Sequence, residues 1–172
     1  GVRLKFDKDS KRALISPTHT FETAQYELSV DGRDVVRYHA PGETDDQIVI
    51  HMPKERVLFA ADNIYKSFPN MYAIRGTTTR DAIQWASSLD LMRSLKPEYL
   101  IPSHTKPISG EDYIYEVITI YRDAMQFVHD QTVRFMNKGL SPDEIIGRKL
   151  IQLPKNLKEH PYLQEFYGTV DW

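Results

Sequence analysis

The stretch QIVIHM, residues 47–52, is apolar at nearly every position. A strand with one wet face alternates apolar and polar residues, so a near-continuous run asks for cover on both faces of its sheet. That demand excludes an isolated hairpin and calls for neighbouring strands. The sequence offers them: RALISP (12–17), AQYELSV (24–30), RDVVRYHA (33–40) and RVLFAAD (56–62) are rich in β-branched and aromatic residues. Turn-forming residues separate them, at Asp31-Gly32, Pro41-Gly42 and Pro53-Lys54-Glu55.

Beyond these strands the hydrophobic period changes. TTTRDAIQWASSLDLMRSL (77–95) carries Ile83, Trp85, Leu89, Met92 and Leu95 at helical spacing, with a Thr as N-cap, Asp81 in the first turn and a stop before Pro97. A short strand, EYLIPSH (98–104), follows. From Gly110 a long amphipathic helix is predicted, ending at Gly139. Next, Ser141 as N-cap, Pro142 at the first helical position and Glu144 at the third form a capping box. Strands alternating with a helix, then helices alone, argue an α/β unit with a helical appendage.

Composition narrows the functional classes. The 172 residues are 41% hydrophobic with a net charge of −2, so no basic excess points to nucleic acid. The absence of cysteine excludes disulfides, thiolate zinc sites and a cysteine nucleophile. No apolar run approaches the roughly 18 residues of a membrane-spanning helix.

Two acids stand where packing does not ask for them. Glu43 follows Pro41-Gly42, and Asp62 follows the apolar run Val57 to Ala61; His104 stands just after the strand EYLIPS. Ends of neighbouring strands converge on one rim of a sheet, and two carboxylates with an imidazole suit a divalent metal such as zinc. Each residue also has an ordinary reading, as a turn acid or a structural loop histidine. His19, His39, His51, His129 and His160 form no HxH or HxxxH pair and read as structural, although His39 and His51 can share the same rim. Arg75, in NMYAIRGTTTRD, reads equally as a solvated loop charge.

A resemblance decides between these readings. APGETDDQIVIHMPKERVLFAADNIY (40–65) resembles the second half of the metallo-β-lactamase fold, in which a PGHT turn and a GD turn supply metal ligands and a later His completes the site. More narrowly, APGET, AAD, NMYAIRG and RDAIQW resemble segments of the alkylsulfatase branch, where Glu replaces the PGHT histidine. HDQTVRFMNKGLSPDEI and HPYLQEFYGTVDW resemble the dimerisation domain of those enzymes. The resemblance implies the second half of an αββα sandwich over residues 1–111 and a helical dimerisation segment over 112–172. It implies that Glu43 binds one zinc ion and His104 a second. Asp62, where the branch usually carries Glu, would bridge the two ions. Asn70, Tyr72 and Arg75 would hold the sulfate group, Arg75 through the two-donor grip that Lys lacks.

The superfamily's first-half motif, HxHxDH, does not occur in the 172 residues. The chain therefore reads as the C-terminal part of a zinc-dependent sulfate-ester hydrolase, inactive alone, with the remaining ligands on an N-terminal half. The resemblance also implies a homodimer and leans towards a periplasmic or secreted location. Two other readings stay open: a related hydrolase of another anionic ester or a lactone, and a non-catalytic assembly module. For association, the expected surface is part of the stripe Ile114, Val117, Ile118, Tyr121, Met125 and Val128, roughly half of which would serve the protein's own core, with Tyr162, Leu163, Phe166, Tyr167 and Trp172 of the tail; the alternative is that all of it packs on the sandwich.

Overall fold

A computed structural model describes residues 13, 15–72 and 78–171. Six strands form one sheet in chain order: β1 (Gln25–Val30), β2 (Arg33–His39), β3 (Ile48–Met52), β4 (Val57–Ala61), β5 (Tyr99–Pro102) and β6 (Ile108–Ser109). All neighbours pair antiparallel except β4 and β5, which are parallel and joined through helix α1 (Ala82–Ser94). The β1–β2 hairpin turns on Asp31 (φ 50°) and Gly32 (φ 74°), both left-handed as a two-residue turn of this kind requires. RALISP is not a strand in its described residues, and Ile15 is 90% exposed. Apolar composition alone provides no pairing partner.

Helix α1 starts two residues later than a cap at Thr79 predicts. Asp81 itself is the N-cap, its carboxylate accepting from Ile83 N (2.9 Å) and Gln84 N (3.0 Å). Helix α2 (Glu111–Met136) runs 26 residues, about 39 Å at 1.5 Å per residue. Gly139 (φ 81°) follows it in the left-handed conformation that ends helices. Helix α3 (Pro142–Gly147) carries the capping box between Ser141 and Glu144, and α4 (Lys155–Lys158) and a 3₁₀ turn (Pro161–Leu163) complete the chain.

Strand alternation sorts the sheet into two faces. On one, Val36, Val49, His51, Leu58, Ala60 and Leu100 are buried beneath α1 and α2. On the other, Ile48, Ile50 and Met52 are only half-buried, and Tyr26, Phe59 and Tyr99 are exposed. The double cover that QIVIHM asks for is thus complete on the helical side. His39 and His51 sit on opposite faces, so they share no rim.

The stripe expected to divide between core and association surface lies wholly in the core or at its edge. Ile114, Val117, Ile118, Tyr121 and Met125 are fully buried in one core with Val49, Leu58, Trp85, Leu89 and Leu100, and Val128 packs at its edge. Tyr162 and Leu163 join the same cluster, so the core runs through position 111 without a break. Helix α2 packs chiefly along α1 and meets the sheet at β5 and β6, which buries the stripe within the chain. Trp172 lies outside the described residues.

Candidate metal centre

Strand β4 ends in an irregularity: the register against β5 shifts between Phe59 and Ala61, and Ala61 is left-handed (φ 50°). Such a bulge bends the strand and re-aims the next side chain, that of Asp62. On the parallel neighbour β5, Pro102 pairs with Ala61, and Ser103 N–H donates to the Ala61 carbonyl (3.0 Å). The two strand ends therefore leave the sheet side by side, and His104 Nδ1 lies 2.7 Å from Asp62 Oδ1. Thr105, next after His104, holds φ 71°, a conformation that costs a β-branched residue on the order of 1–3 kcal/mol. The hydrogen bond to Asp62, then its negative charge, raises the pKa of the His104 imidazole above the ordinary value.

Glu43 reaches the same place from the loop between β2 and β3. Its Oε1 accepts from Tyr65 Oη (3.0 Å) and from Arg80 Nη1 (3.1 Å), while Arg80 Nε donates to the Glu43 carbonyl (3.0 Å). Arg80 Nη1 also donates to the Asn70 carbonyl. Tyr65 Oη accepts in turn from Asn70 N–H (2.8 Å), and burial pushes the pKa of this phenol far up, so it stays a neutral donor to Glu43. Glu43, Asp62 and His104 share a pocket of about 430 Å³ with Tyr65, Ser67 and Tyr167.

The residues expected to grip a sulfate divide differently. Asn70 is buried, its Oδ1 accepting from Tyr72 N–H (3.1 Å), and both of its backbone groups serve Tyr65 and Arg80. It braces the Glu43 side of the site. Tyr72 is 56% exposed, and Arg75 lies outside the described residues.

Sequence reasoning missed Arg80 and Tyr65, and it gave Tyr167 to the association surface. The only local signal for Arg80 is its place before the cap Asp81; its partner is 37 residues away. Tyr167 arrives on a tail that docks along the Tyr65–Asn70 segment. Phe68 N–H and Ser67 Oγ donate to the Gln164 carbonyl (2.8 and 3.0 Å), Tyr167 N–H to Ser67 Oγ (3.0 Å), and Gly168 N–H to the Phe68 carbonyl (3.2 Å). The rings of Tyr167 and Tyr65 meet edge-on at 5.6 Å. A Cβ on Gly168 would stand 2.1 Å from the Pro69 carbonyl oxygen, so glycine is what lets the tail approach.

Two carboxylates and an imidazole around one pocket are donors that zinc accepts. Among the described residues, no three His, Asp or Glu side chains gather closely enough to hold an ion by themselves. Further ligands are needed to complete coordination. No described helix is long and apolar enough to cross a membrane.

Comparison with known proteins gives these residues a context. The family profile of the metallo-beta-lactamase superfamily matches residues 3–104. A linear primary-alkylsulfatase of a Pseudomonas species is 41% identical over 91% of the chain, and an alkyl/aryl-sulfatase of Saccharomyces cerevisiae is 35% identical over 91%. The solved structure of a stereoselective inverting sec-alkylsulfatase from a Pseudomonas species superimposes on 92% of the chain with a TM-score of 0.85 at 29% identity. The chain spans only 30%, 25% and 25% of the lengths of these three proteins, respectively.

Proposed function

The chain belongs to the metallo-beta-lactamase superfamily, and from that premise we propose that it supplies half of a dinuclear zinc site to a hydrolase of alkyl or aryl sulfate esters. The observation that carries this reading is the convergence of Glu43, Asp62 and His104 on one pocket. The similarity to alkylsulfatases supports the substrate class. In this reading Glu43 and His104 would each hold an ion, and Asp62 would be a ligand shared between them. Zinc, when bound, supplies Lewis acidity at neutral pH.

The chain's own residues do the positioning. Arg80 and Tyr65 fix one oxygen of Glu43 and leave Oε2 without a partner among the described residues. Tyr167 and Tyr65, packed edge-on, form an aromatic wall on one side of the pocket. Arg75, five residues past Asn70 in the sequence, is the proposed anion clamp, because a planar guanidinium fork matches two oxygens of a sulfate.

The test is turnover by the full-length enzyme. Sulfate esters should be hydrolysed, with activity lost to a chelator and regained with zinc. A phosphate ester or a lactone turned over in preference would overturn the substrate reading. The isolated chain should retain no stoichiometric zinc after dialysis, because three ligands shared between two positions leave each ion short. Association as a homodimer, if it uses this chain, falls to the far half of α2 and to α3, where Val133, Met136 and Ile146 are exposed. Light scattering at tens of micromolar tests it.

A further inference from the structure

Asn63 follows Asp62 directly and is fully buried. Its amide nitrogen donates to the Ala40 carbonyl (2.8 Å), and its Oδ1 accepts from Gln47 Nε2 (2.6 Å). Ala40 and Gln47 are the two ends of the loop that carries Glu43, themselves joined by Ala40 N–H to the Gln47 carbonyl (2.9 Å). The main chain of Asn63 is equally committed: its N–H goes to the Ala60 carbonyl (3.1 Å), and its carbonyl accepts from Trp85 Nε1 (3.1 Å). The Glu43 loop is built around this amide. A Cβ on Gly42 would stand 1.8 Å from Asn63 Oδ1 and 3.2 Å from Trp85 Nε1, so the glycine of the PGET turn is there because Asn63 fills the space.

We infer that Asn63 is a positioning residue of the site: by tying both ends of the loop it sets the main chain of Glu43 relative to Asp62, while Arg80 and Tyr65 hold the carboxylate itself. An apolar residue of the same volume would fill the cavity but leave the Ala40 carbonyl and the Gln47 amide without partners and the loop free to choose its register. Asn63 touches neither reacting atoms nor metal; it acts through the two acids on either side of it. Its consequence for metal geometry rests on the zinc reading above, whereas its hold on the loop does not.

The experiment has two arms. In the full-length enzyme loaded with Co²⁺ in place of zinc, Asn63→Asp keeps the shape and the acceptor for Gln47 but turns an oxygen on the Ala40 carbonyl. Gly42→Ala presses on the same amide from the other side. Each variant should hold Co²⁺ about tenfold or more less tightly and shift its visible absorption, with the far-ultraviolet circular dichroism unchanged. In the second arm, amide hydrogen exchange at residues 42–47 should quicken about tenfold while β3 keeps its protection. A folded Asn63→Asp protein with wild-type Co²⁺ affinity and spectrum overturns the metal-positioning role. If the wild type takes up no Co²⁺, the zinc reading fails, and loop exchange unchanged in Asn63→Asp would overturn the positioning of Glu43 as well. Should Asn63→Asp fail to fold, Gln47→Met, which removes one donor at the loop end, carries both arms with the same criteria.

Discussion

Replacing Arg80 by Met isolates the interaction that holds Glu43 in place. The two side chains are only 13% and 15% exposed, and Arg80 makes three hydrogen bonds, one to the carboxylate and two to backbone carbonyls. Met preserves much of the stem's packing but leaves Glu43 with the Tyr65 hydroxyl alone and strands the Asn70 carbonyl. A hydrogen bond to a charged group contributes about 1.5–3 kcal/mol, and breaking a buried ion pair costs about 3–5 kcal/mol. The remaining exposure of both groups places the expected loss near the lower bound, about 3 kcal/mol. For a chain of this size that lowers Tm by about 6–12 °C. Urea unfolding followed by circular dichroism measures it, with Glu43→Gln and the double variant completing a cycle. A coupling of at least about 1 kcal/mol between the two sites is expected. A loss below about 1 kcal/mol, or strict additivity, would refute the pair as the anchor of this acid.

Gly168→Ala sets a Cβ against the Pro69 carbonyl and should cost about 1–3 kcal/mol and expose the tail to limited proteolysis, whereas Gly147→Ala, with open space around it, should leave cleavage unchanged. Burial lowers the pKa of His51, and that of His160 likewise against a weaker opposing pull from Glu116. Above their ordinary value of 6.5 both states are neutral and stability is full; as pH falls below it the unfolded chain binds protons first, so stability declines, and His51→Gln should flatten that slope. In the full-length enzyme Arg75→Lys should keep its metals and lose turnover by about 10²-fold, roughly 3 kcal/mol of transition-state stabilisation. Asp62→Ala should lose metal and activity together, as elemental analysis and turnover will report.

What the sequence disclosed was what is local. The Asp31-Gly32 hairpin, the capping box at Ser141 and the Trp85–Leu89–Met92 face of α1 each depend on residues within a few positions of one another. Glu43, Asp62 and His104 stood out only through the resemblance, since each alone reads as an ordinary turn acid or loop histidine; the three line one pocket. Arg80 was not legible, since an arginine before a helix looks the same whether solvated or paired to an acid 37 residues away. The α2 stripe shows the opposite difficulty. Periodicity announces that Ile114, Val117 and Ile118 will be buried but carries no information on whether a sheet or a second subunit buries them. Likewise RALISP has the composition of a strand, and pairing depends on partners that composition does not supply.

The tail that carries Gln164 and Tyr167 meets Ser67 across 97 and 100 residues of chain. A ribosome adding about 5–20 residues per second makes that interval in roughly 5–20 s. Throughout it the Tyr65–Asn70 segment has already been synthesised while its docking partner has not. A newborn chain therefore passes through a stage in which the acids are present but one wall of their pocket has yet to be synthesised. Translation order alone thus makes that wall the last part of the pocket to form, and a ribosome stalled within this stretch would leave a product whose ligand-bearing rim stands open to water.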